Sequence, residues 1–179
     1  LKPAAKAKTI MIIGGGVSGC EAARVLALRG HKPEIYEKSS RLGGNLLPGG
    51  APDFKEDDIA LADWYEHTLK ELGVPVCLNR EIKKDEILGS DADAVIIATG
   101  SVPKVFSLGD DNKVFTAEQV LMNKKDPGKK VAVIGGGLVG CETALWLAEK
   151  GLEVTIIEAL DKILAVNGPL CHANSEMLE

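Results

Sequence analysis

The chain has 179 residues, 45% hydrophobic and 26% charged, with a formal net charge of −5. That length suits one ordinary domain or two small ones, the balance is that of a folded chain, and the acidic charge gives no footing for nucleic acid. No apolar run approaches the roughly 20 residues that span a bilayer, so no membrane partner is expected.

The opening LKPAAKAKTI is basic, but the apolar stretch behind it stops within a few residues, too soon for the centre of a signal peptide. Ile10-Met11-Ile12-Ile13 instead reads as a strand buried on both faces of a parallel sheet. It runs into Gly14, Gly16 and Gly19, the spacing G-x-G-x-x-G. The first glycine permits a tight turn, the second lets the backbone approach a pyrophosphate, and the third lets a helix pack close to the strand. A helical pattern with Ala23 on its close-packed side ends at Gly30, and a second strand, KPEIYE, ends at Glu37. The helix N-terminus offers unpaired N–H groups and partial positive charge to a pyrophosphate, and the carboxylate accepts from ribose hydroxyls. Alone, the glycine spacing is weak evidence. A strand before it, a helix after it and an acid about 20 residues on make it strong.

The next stretch, KSSRLGGNLLPGGAPDF, is a loop whose Gly43-Gly44 and Gly49-Gly50 suit close approach to a ligand or simply turns. Glu56 to Leu72 reads as a helix closed by Gly73, with Asp57 and Asp58 in its first turn and Trp64 and Tyr65 as packing residues. VPVCLN is a strand, REIKKDEILGSDA an irregular or short-stranded connection, and DAVIIATG a buried strand ending at Thr99-Gly100. Thr116 and Gln119 form a capping-box signal for a short helix, and NKKDPGKK is a solvated turn that marks the domain boundary.

After that turn the first pattern returns. Val131-Ala132-Val133-Ile134 leads into Gly135, Gly137 and Gly140, a helix with Ala144 closes at Gly151, and LEVTIIE ends at Glu158. Gly14 and Gly135, and likewise Glu37 and Glu158, stand 121 residues apart. The repeat means two dinucleotide sites. At the second, Glu158 is followed by Ala159 and Leu160, with Lys162 the nearest base; a carboxylate repels a 2′-phosphate, so this site reads as one for NADH.

Cys20, Cys77, Cys141 and Cys171 are scattered, with no metal-ligand spacing, and a cytoplasmic setting is expected. Cys20 and Cys141 fall in the first helical turn, where the dipole would lower a thiol pKa, but they read as small packing residues. His31, His67 and His172 stand without an identifiable partner in the sequence, and no catalytic acid, base, nucleophile or metal ligand is assigned.

The order of these parts resembles the flavoprotein reductases with two dinucleotide-binding domains. RLGGNLLPGGAPDFKEDDIALADWYEHTLKELGV and the closing GPLCHANSEMLE are similar, more narrowly, to the FAD/NADH module of 2-enoate reductase, whose relatives include 2,4-dienoyl-CoA reductase and trimethylamine dehydrogenase. The resemblance implies two Rossmann-like α/β units with parallel sheets, the second incomplete. Residues 8–127 would be an FAD domain lacking its returning segment, and 128–179 the first half of an NADH domain. By motif match Gly14, Gly16, Val17, Ser18, Gly19, Glu37 and Lys38 would hold the ADP half of FAD, with Gly43 and Gly44 along the pyrophosphate and flavin. Ala98, Thr99 and Gly100 would close that site, and Gly135, Gly137, Gly140 and Glu158 would receive NADH. The resemblance further implies a flavin (FMN) barrel and a 4Fe-4S domain in the same polypeptide ahead of residue 1, and hydride passing from NADH to FAD and on to an activated C=C bond. NADH oxidase or ferredoxin-type reductase chemistry, or binding of ADP without redox, are the alternatives. One departure matters: Gly44 is followed by Asn-Leu-Leu-Pro, where disulfide reductases of this architecture place a redox cysteine pair.

Overall fold

The computed structural model describes residues 1–105, 108–109 and 111–165. The motif at 168–179, with Cys171 and His172, lies outside the described residues. The chain divides into two compact units, Leu1–Val102 and Pro103 onward. The division falls earlier than the solvated turn at 123–130, because the short helix before that turn packs within the second unit.

In the first unit, β1 (Thr9–Ile13), α1 (Val17–Leu28) and β2 (Lys32–Tyr36) form the opening β-α-β. Next come a helical turn α2 (Leu46–Gly49), the long α3 (Glu56–Glu71), β3 (Val76–Cys77), α4 (Lys84–Leu88) and β4 (Ala94–Ile97). The four strands form one parallel sheet in the order β3-β2-β1-β4, with Ile12 between Ile35 and Ile96. Alternation explains the core: Ile10, Ile12 and Ile35 join Cys20 and Ala23 of α1 and Tyr65 and Leu69 of α3. Fully burying one such aliphatic side chain contributes about 1.5–3 kcal/mol.

Three sequence expectations change here. The segment 80–92 contains a helix, α4, because the Glu86 carboxylate accepts the Lys83 N–H at 3.0 Å and caps its start. The strand expected over 93–100 stops at Ile97, so Ala98-Thr99-Gly100 are loop residues. Of the two aromatics, Tyr65 is in the core but Trp64 is 47% exposed, with the Arg24 guanidinium 5.7 Å above its ring.

The second unit holds α5 (Ala117–Leu121), β5 (Lys130–Ile134), α6 (Leu138–Glu149) and β6 (Glu153–Ile157). Thr116 caps α5 as read: its hydroxyl accepts the Gln119 N–H at 3.2 Å and Gln119 Oε1 accepts the Thr116 N–H at 2.9 Å. Among the described residues β5 pairs only with β6, in parallel, with Val133 opposite Ile156. Both strands are therefore half-exposed rather than buried on two faces, and Ile134 is 54% exposed. Among the described residues no helix is long and apolar enough to cross a membrane.

Candidate dinucleotide sites

In the first unit the chain leaves β1 through Gly14, whose φ of +107° favours glycine. A Cβ there would also lie 2.3 Å from the Ala98 carbonyl oxygen, so Gly14 and Ala98 are in contact. Gly19 is constrained harder, since a Cβ would fall 1.9 Å from the Gly14 oxygen; this contact is what brings α1 against β1. Gly16 is the N-cap of α1, with no side-chain cap and no acid in the first turn. The Cys20 N–H bonds Gly16 O at 2.9 Å, leaving those of Val17, Ser18 and Gly19 as the orphan donors of the helix start. Gly16 and Gly43 pair as an isolated parallel bridge, and a Cβ on Gly44 would meet Gly16 Cα at 2.9 Å. The two glycine loops thus touch. An uncapped helix end, flanked by glycines too close-packed for side chains, fits the pyrophosphate of a dinucleotide.

Glu37 stands at the end of β2 and is 8% exposed. Its Oε2 accepts the Gly15 N–H at 2.6 Å and its Oε1 the Ser39 N–H at 2.7 Å. Burial raises its pKa, but the Gly15 and Ser39 N–H groups and the Lys38 charge outweigh burial and hold it below the ordinary carboxylate value. Each carboxylate oxygen keeps a lone pair for a ribose hydroxyl. Lys38 is exposed beside the acid and Gly100 beyond β4; Thr99 is exposed as well, though its backbone nitrogen would lie 3.1 Å from a Cβ on Gly14.

The second unit repeats the arrangement. Gly135 has φ +101°, a Cβ on Gly140 would fall 1.9 Å from the Gly135 oxygen, and Gly137 starts α6 without a side-chain cap. Glu158 Oε2 accepts the Gly136 N–H at 2.6 Å and Oε1 the Leu160 N–H at 2.9 Å. The N–H groups of Leu160 and then Gly136 hold its pKa below the ordinary value. An apolar cleft of about 660 Å³ lies along β5 and the start of α6, lined by Val131, Val133, Val139 and Phe115 among others.

Sequence reading missed that the repeat runs past the acids. Gly43 N–H donates to Gly15 O at 2.9 Å, and its counterpart 121 residues on, Leu164, donates to Gly136 O at 2.7 Å. Leu42 and Ile163 likewise cover Gly15 and Gly136. KSSRLGG and ALDKILA share one leucine-or-isoleucine position and little else; the constant offset was the available signal.

Cys20 and Cys141 are buried, and each thiol donates at 3.3 Å to the carbonyl of the middle glycine, Gly15 or Gly136. Burial pushes the Cys20 thiol up to about 12 and also raises Cys141, so the helix dipole does not activate either. His31 and His67 do have partners: Nδ1 of His31 accepts the Lys8 N–H at 3.2 Å, and Nε2 of His67 lies 3.2 Å from Glu71. Among the described residues no cluster of His, Cys, Asp or Glu is arranged to hold a metal.

Fold and sites together define a chain with paired Rossmann-like nucleotide-binding units. The family model of the pyridine nucleotide-disulphide oxidoreductases matches residues 84–178, and that of an NAD(P)-binding Rossmann-like domain matches residues 12–62. The chain belongs to the pyridine nucleotide-disulphide oxidoreductase family. It is 56% identical, over 99% of its length, to a cinnamate reductase of Clostridium sporogenes, and 41% identical over 91% to an NADH oxidase of Thermoanaerobacter brockii. A solved 2-naphthoyl-CoA reductase superposes on 92% of the chain with a TM-score of 0.84 and 36% identity. The chain spans 27% and 26% of the two curated relatives and 25% of the solved chain. Despite the family's name, the loop after Gly44 forms the helical turn α2 and carries no thiol.

Proposed function

We propose that the first fingerprint, in a domain of residues 8–127, binds FAD and the second, in residues 128–179, binds NADH, as the electron-entry module of an enoate-reductase-type flavoprotein. The observation that carries this reading is the duplicated clasp, in which an acid at the end of the second strand holds the middle glycine beside an uncapped helix N-terminus. When bound, FAD supplies the capacity to take hydride from NADH and pass electrons on. The chain supplies binding and orientation. Gly14, Gly16, Val17, Ser18 and Gly19 present the helix end to the pyrophosphate, Glu37 and Lys38 lie at the ribose, and Gly43-Gly44 and Ala98-Thr99-Gly100 flank the flavin half. Gly135, Gly137, Gly140 and Glu158 do the same for NADH, and Glu158 sets the preference against a 2′-phosphate. The substrate class, an α,β-unsaturated acid or thioester, is supported by the likeness to the cinnamate and naphthoyl-CoA reductases. The FMN barrel and 4Fe-4S domain implied by the resemblance in sequence would lie elsewhere in the polypeptide, as the quarter-length match to these relatives allows. NADH as donor and free thiols at Cys20, Cys77 and Cys141 suit a cytoplasmic setting.

Calorimetric titration of FAD, ADP and FMN tests the first site. FAD and ADP should bind and FMN, lacking adenosine, should not. Glu37→Ala should weaken FAD by roughly tenfold or more, the scale of a hydrogen bond to a charged group. Equal affinity for all three, unchanged in the variant, overturns the assignment. In the intact enzyme, anaerobic stopped-flow with NADH and NADPH tests the second site, and a preference for NADPH would overturn it. Rapid oxidation by O₂ with no reduction of cinnamate would favour the NADH oxidase reading that the 41% identical relative supports.

A further inference from the structure

We propose that Cys20 and Cys141 are positioning residues: each thiol pins the carbonyl of the fingerprint's middle glycine, so that the next N–H faces the bound pyrophosphate. The inference rests on the dinucleotide reading of the two units. Its starting point is the sequence itself, for Gly14-Gly15-Gly16 and Gly135-Gly136-Gly137 are runs of three glycines. Such a run has no side chains to restrict it, and its peptides turn over at little steric cost. A loop that must present one face to a ligand therefore needs pins from outside.

The structure supplies three per copy. Gly15 N–H is held by Glu37 Oε2, and Gly15 O accepts both the Gly43 N–H and the Cys20 thiol. Gly136 is held by Glu158, Leu164 and Cys141 in the same way. The carbonyl of Gly15 and the N–H of Gly16 belong to one planar trans peptide and point in opposite directions. Holding the oxygen toward Cys20 therefore also fixes the direction of the Gly16 N–H. The Gly15 oxygen, held by both the Cys20 thiol and the Gly43 N–H, thus ties the fingerprint to the glycine loop that follows the acid. Cys20 is 0% exposed and Cys141 4%, which keeps water from substituting for either thiol. A small packing residue explains the burial but not the same donor geometry in both copies.

The test uses this chain with Cys20→Ala and Cys20→Ser, read by amide hydrogen exchange at Gly15, Gly16 and Gly43 and by FAD titration. Cys20→Ala should speed exchange at Gly43 and Gly16 by about five- to tenfold and weaken FAD by a similar factor, the scale of one neutral hydrogen bond. Exchange at Gly137 and Leu164 in the second unit should not move. Cys20→Ser keeps a donor and should fall nearer the native protein than Ala in both readouts. Cys141→Ala should reverse the pattern, loosening Leu164 and Gly137 alone. If Ser is no better than Ala, or if Ala leaves local exchange unchanged, the thiol is a packing residue and the proposal fails. If FAD binds no variant, the native chain included, the cofactor assignment has failed, while the exchange arm still decides whether the thiol pins the loop.

Discussion

The two fingerprints share their backbone geometry but not their surroundings. In both, the acid accepts the middle glycine's N–H at 2.6 Å, the first glycine's N–H bonds the second strand at 2.8 Å, and a thiol donates at 3.3 Å. Around the first lie four strands; around the second, among the described residues, lie two. The clasp is thus the same in both units although the strands described around it differ. What the sheet adds is crowding. A Cβ on Gly14 collides with Ala98 beyond β4, whereas one on Gly135 has nothing within 4 Å. Ile13 is 7% exposed and its counterpart Ile134 is 54% exposed.

That contrast sets the largest expected effect. Gly135→Ala should cost only the strain of a positive φ, about 1–2 kcal/mol. Gly14→Ala bears the same strain and adds overpacking against the Ala98 carbonyl, a further 1–3 kcal/mol or so. Urea unfolding, followed by probes in each unit so that two transitions are resolved, measures the difference. Equal costs would mean that β4 does not restrict Gly14 and that the two surroundings are equivalent after all. Gly19→Ala and Gly140→Ala serve as the matched controls, since both place a Cβ 1.9 Å from a backbone oxygen and should be comparably severe.

Much of this was legible in the residues. The glycine spacing, the aliphatic runs before it and the acids after it all depend on residue type. The strands, turns and acids fall at those positions, although β5 is half-exposed rather than buried on two faces. The capping box at Thr116 was also written in side chains. What escaped reading is carried by main-chain groups. Ser39 and Leu160 donate N–H groups to the acids, and Gly43 and Leu164 donate to the middle glycines, so those positions diverged without leaving a motif. The five-residue α4 is too short to show a period, although Asp85 and Glu86 in its first turn were a signal. The thiols were legible as packing residues but not as donors, because a helical position alone does not say which carbonyl a side chain meets.

A smaller effect separates the two acids. Both carboxyls titrate below their ordinary value in the folded chain, so each contributes stability that is full above about pH 4.5 and is lost as pH falls through the depressed folded value. Glu37 is nearly buried and takes two N–H bonds, so Glu37→Gln should cost about 1.5–3 kcal/mol at neutral pH in the first unit. It should also flatten that unit's loss of stability between pH 5 and 3. Glu158 is more open to solvent, so Glu158→Gln should cost less than Glu37→Gln at neutral pH, while flattening the second unit's acid loss in the same direction. Denaturation midpoints across that pH range check both. A larger loss at neutral pH from Glu158→Gln than from Glu37→Gln would reverse the ranking of the two clasps.

The smallest effect tests where the repeat stops being equivalent. Gly43 and Leu164 make the same hydrogen bond, yet Gly43 has φ +118° and Leu164 has φ +55°. The second value is the left-handed region, which an ordinary residue occupies at a cost of about 1 kcal/mol; the first is closed to side chains. A Cβ on Gly43 would also meet Ala62 at 2.9 Å and Leu47 at 3.1 Å. Leu164→Gly relieves the strain but gives up half-buried apolar surface and adds backbone freedom to the unfolded chain. These oppose each other, so the net change should stay within about 0.5 kcal/mol of zero. Gly43→Ala has no such compensation and should destabilise by roughly 1–3 kcal/mol. A large loss from Leu164→Gly would mean that the leucine side chain, rather than its N–H, is what the second fingerprint uses. The loop after Glu158 would then be a packing element, distinct in kind from the glycine loop after Glu37.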